Sequence, residues 1–193
     1  MKALRIKQLA ILVVTGLPGL TIASGFALTE QSAGGLGNAF AGAAASAEDA
    51  STIFFNPAGM TRLPNRQVAG ALHLILPSAK YSDGNPVTND GGDAGSLAAV
   101  PNFYYVMALS PTSRFGLGLN APFGLKTDYD FGWAGQFSAL KSDLKTINLN
   151  PSLATKLTDQ LSVGIGLNID YAKAELSNFV PPLYGGASAG TAT

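Results

Sequence analysis

The chain has 193 residues, of which 47% are hydrophobic and only 12% charged, with a formal net charge of zero and no cysteine. The charged share is about half that of an ordinary soluble domain, and the balanced charge leaves no electrostatic footprint for nucleic acid. The lack of Cys excludes disulfides, thiolate metal sites and Cys nucleophiles; with His73 the single histidine, most transition-metal sites go too.

Residues 1–23 have the form of a cleaved secretory signal. Lys2, Arg5 and Lys7 make a basic start, Leu9 to Leu20 is apolar, and Thr21-Ile22-Ala23 offers small residues for a peptidase. The apolar run is interrupted by Gly16 and Pro18 and is too short to serve as a membrane anchor. Residues 24–62 are rich in Gly, Ala and Ser. They match no strand pattern, although Ala39 to Ala47 has high helix propensity and Leu36 and Phe40 would share a helical face.

From residue 63 on, the chain alternates. Val68, Leu72, Leu74 and Leu76 share one face of a first strand, and Phe103, Tyr105, Met107 and Leu109 one face of a second. The third is stricter: Phe115, Leu117 and Leu119 oppose Gly116, Gly118 and Asn120. Ala121-Pro122-Phe123-Gly124 then breaks it, since Pro cannot donate to a ladder and Gly weakens one. A fourth strand is expected over about 144–157. The fifth sets Leu161, Val163, Ile165, Leu167, Ile169 and Tyr171 against Ser162, Gly164, Gly166, Asn168, Asp170 and Ala172. After Ser177 the pattern fades.

Alternation this long exceeds what a sandwich strand needs, about five or six residues, and suits a transmembrane barrel with an apolar outer face and a small or polar lumen face. The connections at 79–99 and 124–143 are long and those at 110–113 and 157–160 short, which places the long ones outside the cell and the tail after Asn178 in a third outer loop. Tyr129, Phe131, Trp133 and Phe137 suit an interfacial belt or a loop groove. About five strands cannot close a barrel, so the expectation is an all-β, antiparallel transmembrane barrel of which 63–193 form the first part.

Chemical motifs are few. The acids of 79–99 lack calcium-loop spacing, because Ala94 stands where a bidentate Glu is needed, and a solvated loop is expected. No Gly-x-Ser-x-Gly elbow is present, Phe40 spoils a dinucleotide fingerprint after Gly35 and Gly37, and Ala43 follows Gly42 where a phosphate loop needs Lys. The reading is no enzyme, no cofactor and no metal.

The residues Gly25-Phe26-Ala27-Leu28, the stretch Ser32 to Gly42, Asn56-Pro57-Ala58, Arg114-Phe115-Gly116-Leu117-Gly118, Leu144 to Ser152 and Ser162 to Asn168 occur in this order after a signal. In this they resemble the outer-membrane long-chain fatty acid and aromatic hydrocarbon transporter family. The resemblance implies a fourteen-stranded, monomeric barrel in the outer membrane of a Gram-negative bacterium, with residues 24–62 as a hatch in its lumen. It also implies passive, gated uptake of a hydrophobic small molecule, a long-chain fatty acid first, with a lateral opening toward outer-membrane lipid and lipopolysaccharide. Carried over by motif, Phe26 and Leu28 would line the ligand pocket, and Asn56, Pro57 and Ala58 would hold the hatch against the wall. Asn120, Ala121, Pro122, Phe123 and Gly124 would form the kink that opens the wall. A monoaromatic hydrocarbon as substrate, or a general porin or structural barrel, is the alternative.

Overall fold

The computed structural model describes residues 27–85, 89–180 and 188–192. The expected signal segment and Phe26 lie outside them. No helix among the described residues is long and apolar enough to cross a membrane.

Among the described residues, eight strand segments form one antiparallel sheet: β1 (Arg66–Ile75), β2 (Ala98–Ala108), β3 (Ser113–Asn120), β4 (Gly124–Asp128), β5 (Lys141–Lys156), β6 (Ser162–Gly166), β7 (Ile169–Val180) and β8 (Ser188–Ala192). They follow six paths. β3 and β4 both pair with the same side of β5, and β6 and β7 both pair with its other side. The second interruption has a simple cause. Leu167 stands in line with Pro151; its N–H donates to the Pro151 carbonyl at 3.0 Å, but proline has no N–H to return.

Three expectations need correction. Five strands were expected, but β7 runs on to Val180 and the chain turns back as β8, so the tail after Asn178 is not simply an outer loop. Residues 124–128, expected within a loop, form β4, and the fourth path starts at Lys141 rather than about 144. The high helix propensity of Ala39 to Ala47 is realised only over Ala43–Ser46. Ala39, Phe40 and Ala47 have φ of 53°, 60° and 46°, a left-handed geometry that ends helices, so helix propensity loses to the turns that fold this segment back on itself.

The segment before the sheet is a string of short turns: α1 (Ala33–Gly37), α2 (Ala43–Ser46), α3 (Thr52–Phe55) and a 3-10 turn over Pro57–Arg62. Ser32 caps α1, its hydroxyl accepting from the Gly35 N–H at 3.0 Å. Leu36 stays exposed, while the Phe40 ring leans on Phe55, 6.0 Å between centroids. The segment lies on one face of the sheet. Ile53, Met60 and Leu63 from it join Tyr104 and Val106 of β2 and Ala154 of β5 in one buried cluster. The opposite face leaves Leu72, Leu74, Phe103, Leu149, Leu153 and Ile165 exposed. A soluble sheet would cover such a face. One that meets lipid leaves it bare.

Glycines on the covered face make the fit possible. A Cβ at Gly116 would come within 2.8 Å of Ile53 Cδ1, and one at Gly164 would strike the backbone of Pro57 and Ala58. The small residues that alternate with apolar ones on β3 and β6 are the seat of the N-terminal segment.

Candidate functional site

The break between β3 and β4 is the most unusual point in the wall. Asn120 is in register with Asn148, and Gly124 with Lys145. Three residues, Ala121–Phe123, therefore stand opposite two, Thr146 and Ile147, which is a bulge of one residue. Each carbonyl of the bulge has a donor from outside the ladder. Ala121 O accepts from Gln31 Nε2 at 3.1 Å, Pro122 O from the Leu28 N–H at 2.9 Å, and Phe123 O from the Thr146 hydroxyl at 2.6 Å. The Thr146 oxygen also accepts the Phe123 N–H at 2.9 Å, so one side chain replaces a lost rung of the ladder.

Two of those donors come from the N-terminal segment. Ala27 makes a single antiparallel bridge to Phe123, so the peptide lies along the exposed edge of the break. Gln31 is wholly buried there. Its Nε2 also donates to Leu28 O at 2.9 Å, and its Oε1 accepts from the Tyr104 hydroxyl at 3.3 Å. On the β2 side, Asn102 Nδ2 donates to Glu30 O at 2.7 Å. Residues 27–31 are thus held between β2 and the broken β3–β4 path.

A second cluster lies lower on the same face. Asn56 caps the 3-10 turn, its Oδ1 accepting from the Ala58 N–H at 3.2 Å, while its Nδ2 donates to Ala44 O at 2.8 Å and ties that turn to α2. Pro57 and Ala58 rest on Gly164, and the Thr61 hydroxyl donates to Ser162 Oγ at 2.8 Å. Arg114 is buried at this end, donating to the carbonyls of Ser110 and Ser113 at 3.0 and 3.1 Å.

Of the residues singled out in the sequence, Leu28 meets Ala121–Gly124 at the break, with its Cδ1 where a Cβ on Gly124 would come within 3.2 Å. Asn120 is buried beside it on the covered face. Asn56, Pro57 and Ala58 belong to the lower cluster instead, and Phe26 is outside the described residues. Gln31, Asn102, Tyr104 and Thr146 were missed. The alternation of β2 does put Asn102 and Tyr104 on the covered face, but nothing in the sequence joins Gln31 to a carbonyl ninety residues away.

Above the break the loops carry their own order. Tyr129 stacks on Trp133 at 4.0 Å, Tyr81 meets Trp133 edge-on at 5.5 Å, and Phe131 stays 70% exposed. Asp93 accepts from the Ala79 N–H (2.8 Å), the Ser78 hydroxyl (2.8 Å) and the Gly95 N–H (3.0 Å), which together hold its carboxyl below the ordinary value. It braces a loop. Among the described residues no group of three or more His, Cys, Asp or Glu side chains is placed to hold a metal.

Residues 14–193 match the family described as outer membrane protein transport protein (OMPP1/FadL/TodX). The chain belongs to that family. The OMPP1/FadL/TodX match covers the N-terminal segment and every strand described above. Among relatives, the chain is 36% identical over 171 residues to outer membrane protein P1 of Haemophilus influenzae, covering 80% of this chain and 37% of that one. It is 32% identical over 162 residues to the long-chain fatty acid transport protein of Escherichia coli, covering 83% and 36%. A crystal structure of a Pseudomonas aeruginosa FadL homologue superposes with a TM-score of 0.68 at 26% identity, covering 86% of this chain and 45% of that one. The chain thus spans a little over a third of the length of these sequence relatives. The family is one of outer-membrane transport proteins of Gram-negative bacteria, and the sheet described here matches part of a FadL-type β-barrel.

Proposed function

We propose that the protein takes up hydrophobic small molecules, long-chain fatty acids first, by passive diffusion through a barrel plugged by its own N-terminal segment. The observation that carries this reading is the placement of Ala27–Gln31 along the break in the wall, where its groups satisfy the Ala121 and Pro122 carbonyls that have left the ladder. A plug tied down by a few hydrogen bonds, each worth about 1 kcal/mol net, can be displaced by a ligand that gains about 0.8 kcal/mol per buried methylene. Displacement frees the edge beside Ala121–Phe123, and a solute in the lumen then has a sideways path to lipid. Residues 24–62 act as the hatch, with Asn56, Pro57 and Ala58 seating it on β6 while Leu28 and Gln31 close the break. The reading is transport rather than catalysis, by a monomeric barrel bordered by outer-leaflet lipid and lipopolysaccharide.

Uptake of a neutral monoaromatic hydrocarbon is a second reading with support of its own. The groups around the break on the covered face are amides and hydroxyls, namely Gln31, Asn102, Tyr104 and Asn120, none of which would pair with a carboxylate as a cation would. The test is uptake of labelled oleate and labelled toluene by the native host with and without the gene. Loss of oleate uptake alone supports the first reading, and loss of toluene uptake alone the second. No change in either, with the protein in place in the outer membrane, removes the transport claim.

A further inference from the structure

The outward face of β5 and β7 ends in charge, and the order of the charges along the strands is informative. Register pairs Leu149 with Ile169 and Ile147 with Tyr171, both apolar rungs with exposed side chains. The next rung outward pairs Lys145 with Lys173, and the one after it Asp143 with Glu175. Lys126 of β4 is in register with Asp143, and Lys141 lies one rung further out. All share the face of Ile147 and Tyr171, because β5 and β7 keep one register without a bulge.

Depth follows from simple geometry. The apolar face of the β6–β7 path runs from Leu161 to Tyr171, about 34 Å of strand at about 3.4 Å per residue. Tilted by about 35–45°, it rises about 24–28 Å, close to the apolar band of an outer-membrane barrel, about 25 Å. The Lys145–Lys173 rung is therefore the first above the hydrocarbon, at the level of the headgroups on the side of the long loops.

Two lysines directly opposite on one face repel. Here each is tied to an acid on its own strand: Lys145 Nζ to Asp143 at 2.9 Å and Lys173 Nζ to Glu175 at 2.7 Å, with Lys141 Nζ adding a contact to Glu175 at 3.3 Å. The acids sit on the outer side of the lysines, so the side toward the lipid is purely cationic. Lys145 and Lys173 remain 70% and 54% exposed. Among the described residues, no other pair of strands sets two lysines opposite each other.

We infer that this rung is a docking site for the phosphates of a doubly phosphorylated glycolipid of the outer leaflet, of the lipopolysaccharide class. Charge complementarity and depth together select that occupant: an anion between Lys145 and Lys173 removes their repulsion, and its acyl chains continue down the apolar rungs below. The inference rests on the outer-membrane lipid partner proposed above and makes it specific. It also places a bound lipid on the strands that follow the break, where a laterally released solute would meet it.

The test uses the protein as its own gene encodes it, purified in detergent. Binding is measured for diphosphoryl lipid A, monophosphoryl lipid A and phosphatidylglycerol, with native protein and the K145Q/K173Q double variant. Lysines near an anionic membrane surface contribute about fivefold each, so the variant is expected to bind diphosphoryl lipid A about thirty-fold more weakly. K145R/K173R is expected to restore binding, and K156Q, at the end with the short turns, to leave it unchanged. Retention of heat-dependent gel mobility shows that the variants are folded. Equal binding by native and K145Q/K173Q protein overturns the inference. So does native binding of phosphatidylglycerol as tight as that of diphosphoryl lipid A, which would mean a generic anionic surface. Solute uptake does not enter this readout, so failure of the transport reading and failure of this one are distinguishable.

Discussion

The N-terminal segment is held to the wall in two places by two different kinds of force. At the lower seat, Ile53, Met60, Pro57 and Ala58 press against Gly116, Gly118 and Gly164, so the hold is steric and apolar. At the break, Leu28 and Gln31 are held by hydrogen bonds to carbonyls that have left the ladder. Packing is graded by area and fails only when atoms are removed or forced together. Hydrogen bonds can be exchanged one at a time for water or another partner. The difference separates a part that must stay from a part that can let go.

The contrast breaks most severely if the seat is filled. Gly164→Val would drive methyl groups into the Pro57–Ala58 backbone, which cannot give as a side chain can. The expected cost is at or above about 3 kcal/mol, the upper end for overpacking, seen as loss of the heat-modifiable folded band. Ile53→Ala empties the seat instead. The expected loss is about 2–5 kcal/mol of unfolding free energy, read from the urea midpoint, with increased leakage of small polar solutes. A wild-type midpoint in that variant would mean that the segment does not depend on its apolar seat.

Gln31→Ala addresses the break. It removes hydrogen bonds to Ala121 O, Leu28 O and the Tyr104 hydroxyl, an expected local cost of about 1–3 kcal/mol. Amide exchange at Leu28 should quicken while that at Met60 does not; equal acceleration at both would erase the distinction between the two holds. Asn56→Ala removes a cap within the seat, at an expected cost of about 1 kcal/mol, visible as a small fall in melting temperature. The smallest effect is in the outer loop. Asp93 has a depressed carboxyl pKa, so its bracing is complete above the ordinary carboxylate value of 3.8 and fades as pH falls from there through the lower folded value. Proteolysis of residues 76–97 should be constant from neutral pH to pH 5; loosening already in that interval would count against the bracing role.

The strands were legible wherever apolar residues alternated with small ones. β3 and the inner two thirds of the β6–β7 path could be read almost residue by residue. The misses cluster where the wall leaves the lipid. At Lys126, Lys141, Lys173 and Glu175 the outward face turns charged, so a pattern search for apolar alternation stops although the ladder continues. The break itself was legible, because Pro122 and Gly124 are poor strand residues. What lies against it was not. A glutamine reaching a carbonyl across ninety positions is a product of the tertiary fold and leaves no local trace in composition or periodicity.

Those same spans govern the order of assembly. Gln31 reaches Ala121 across 90 positions, and Thr61 reaches Ser162 across 101. Neither contact can form until most of the wall described here has been made, although the residues on the other side of each contact leave the inner membrane first. Contacts of such separation make folding slow, because a long loop must close before any contact rewards it. The part of the protein that comes first in the chain is thus among the last to reach its place. Until then Ile53, Met60 and Leu63 are apolar surface with nothing to cover it, and the periplasm is where that exposure has to be endured.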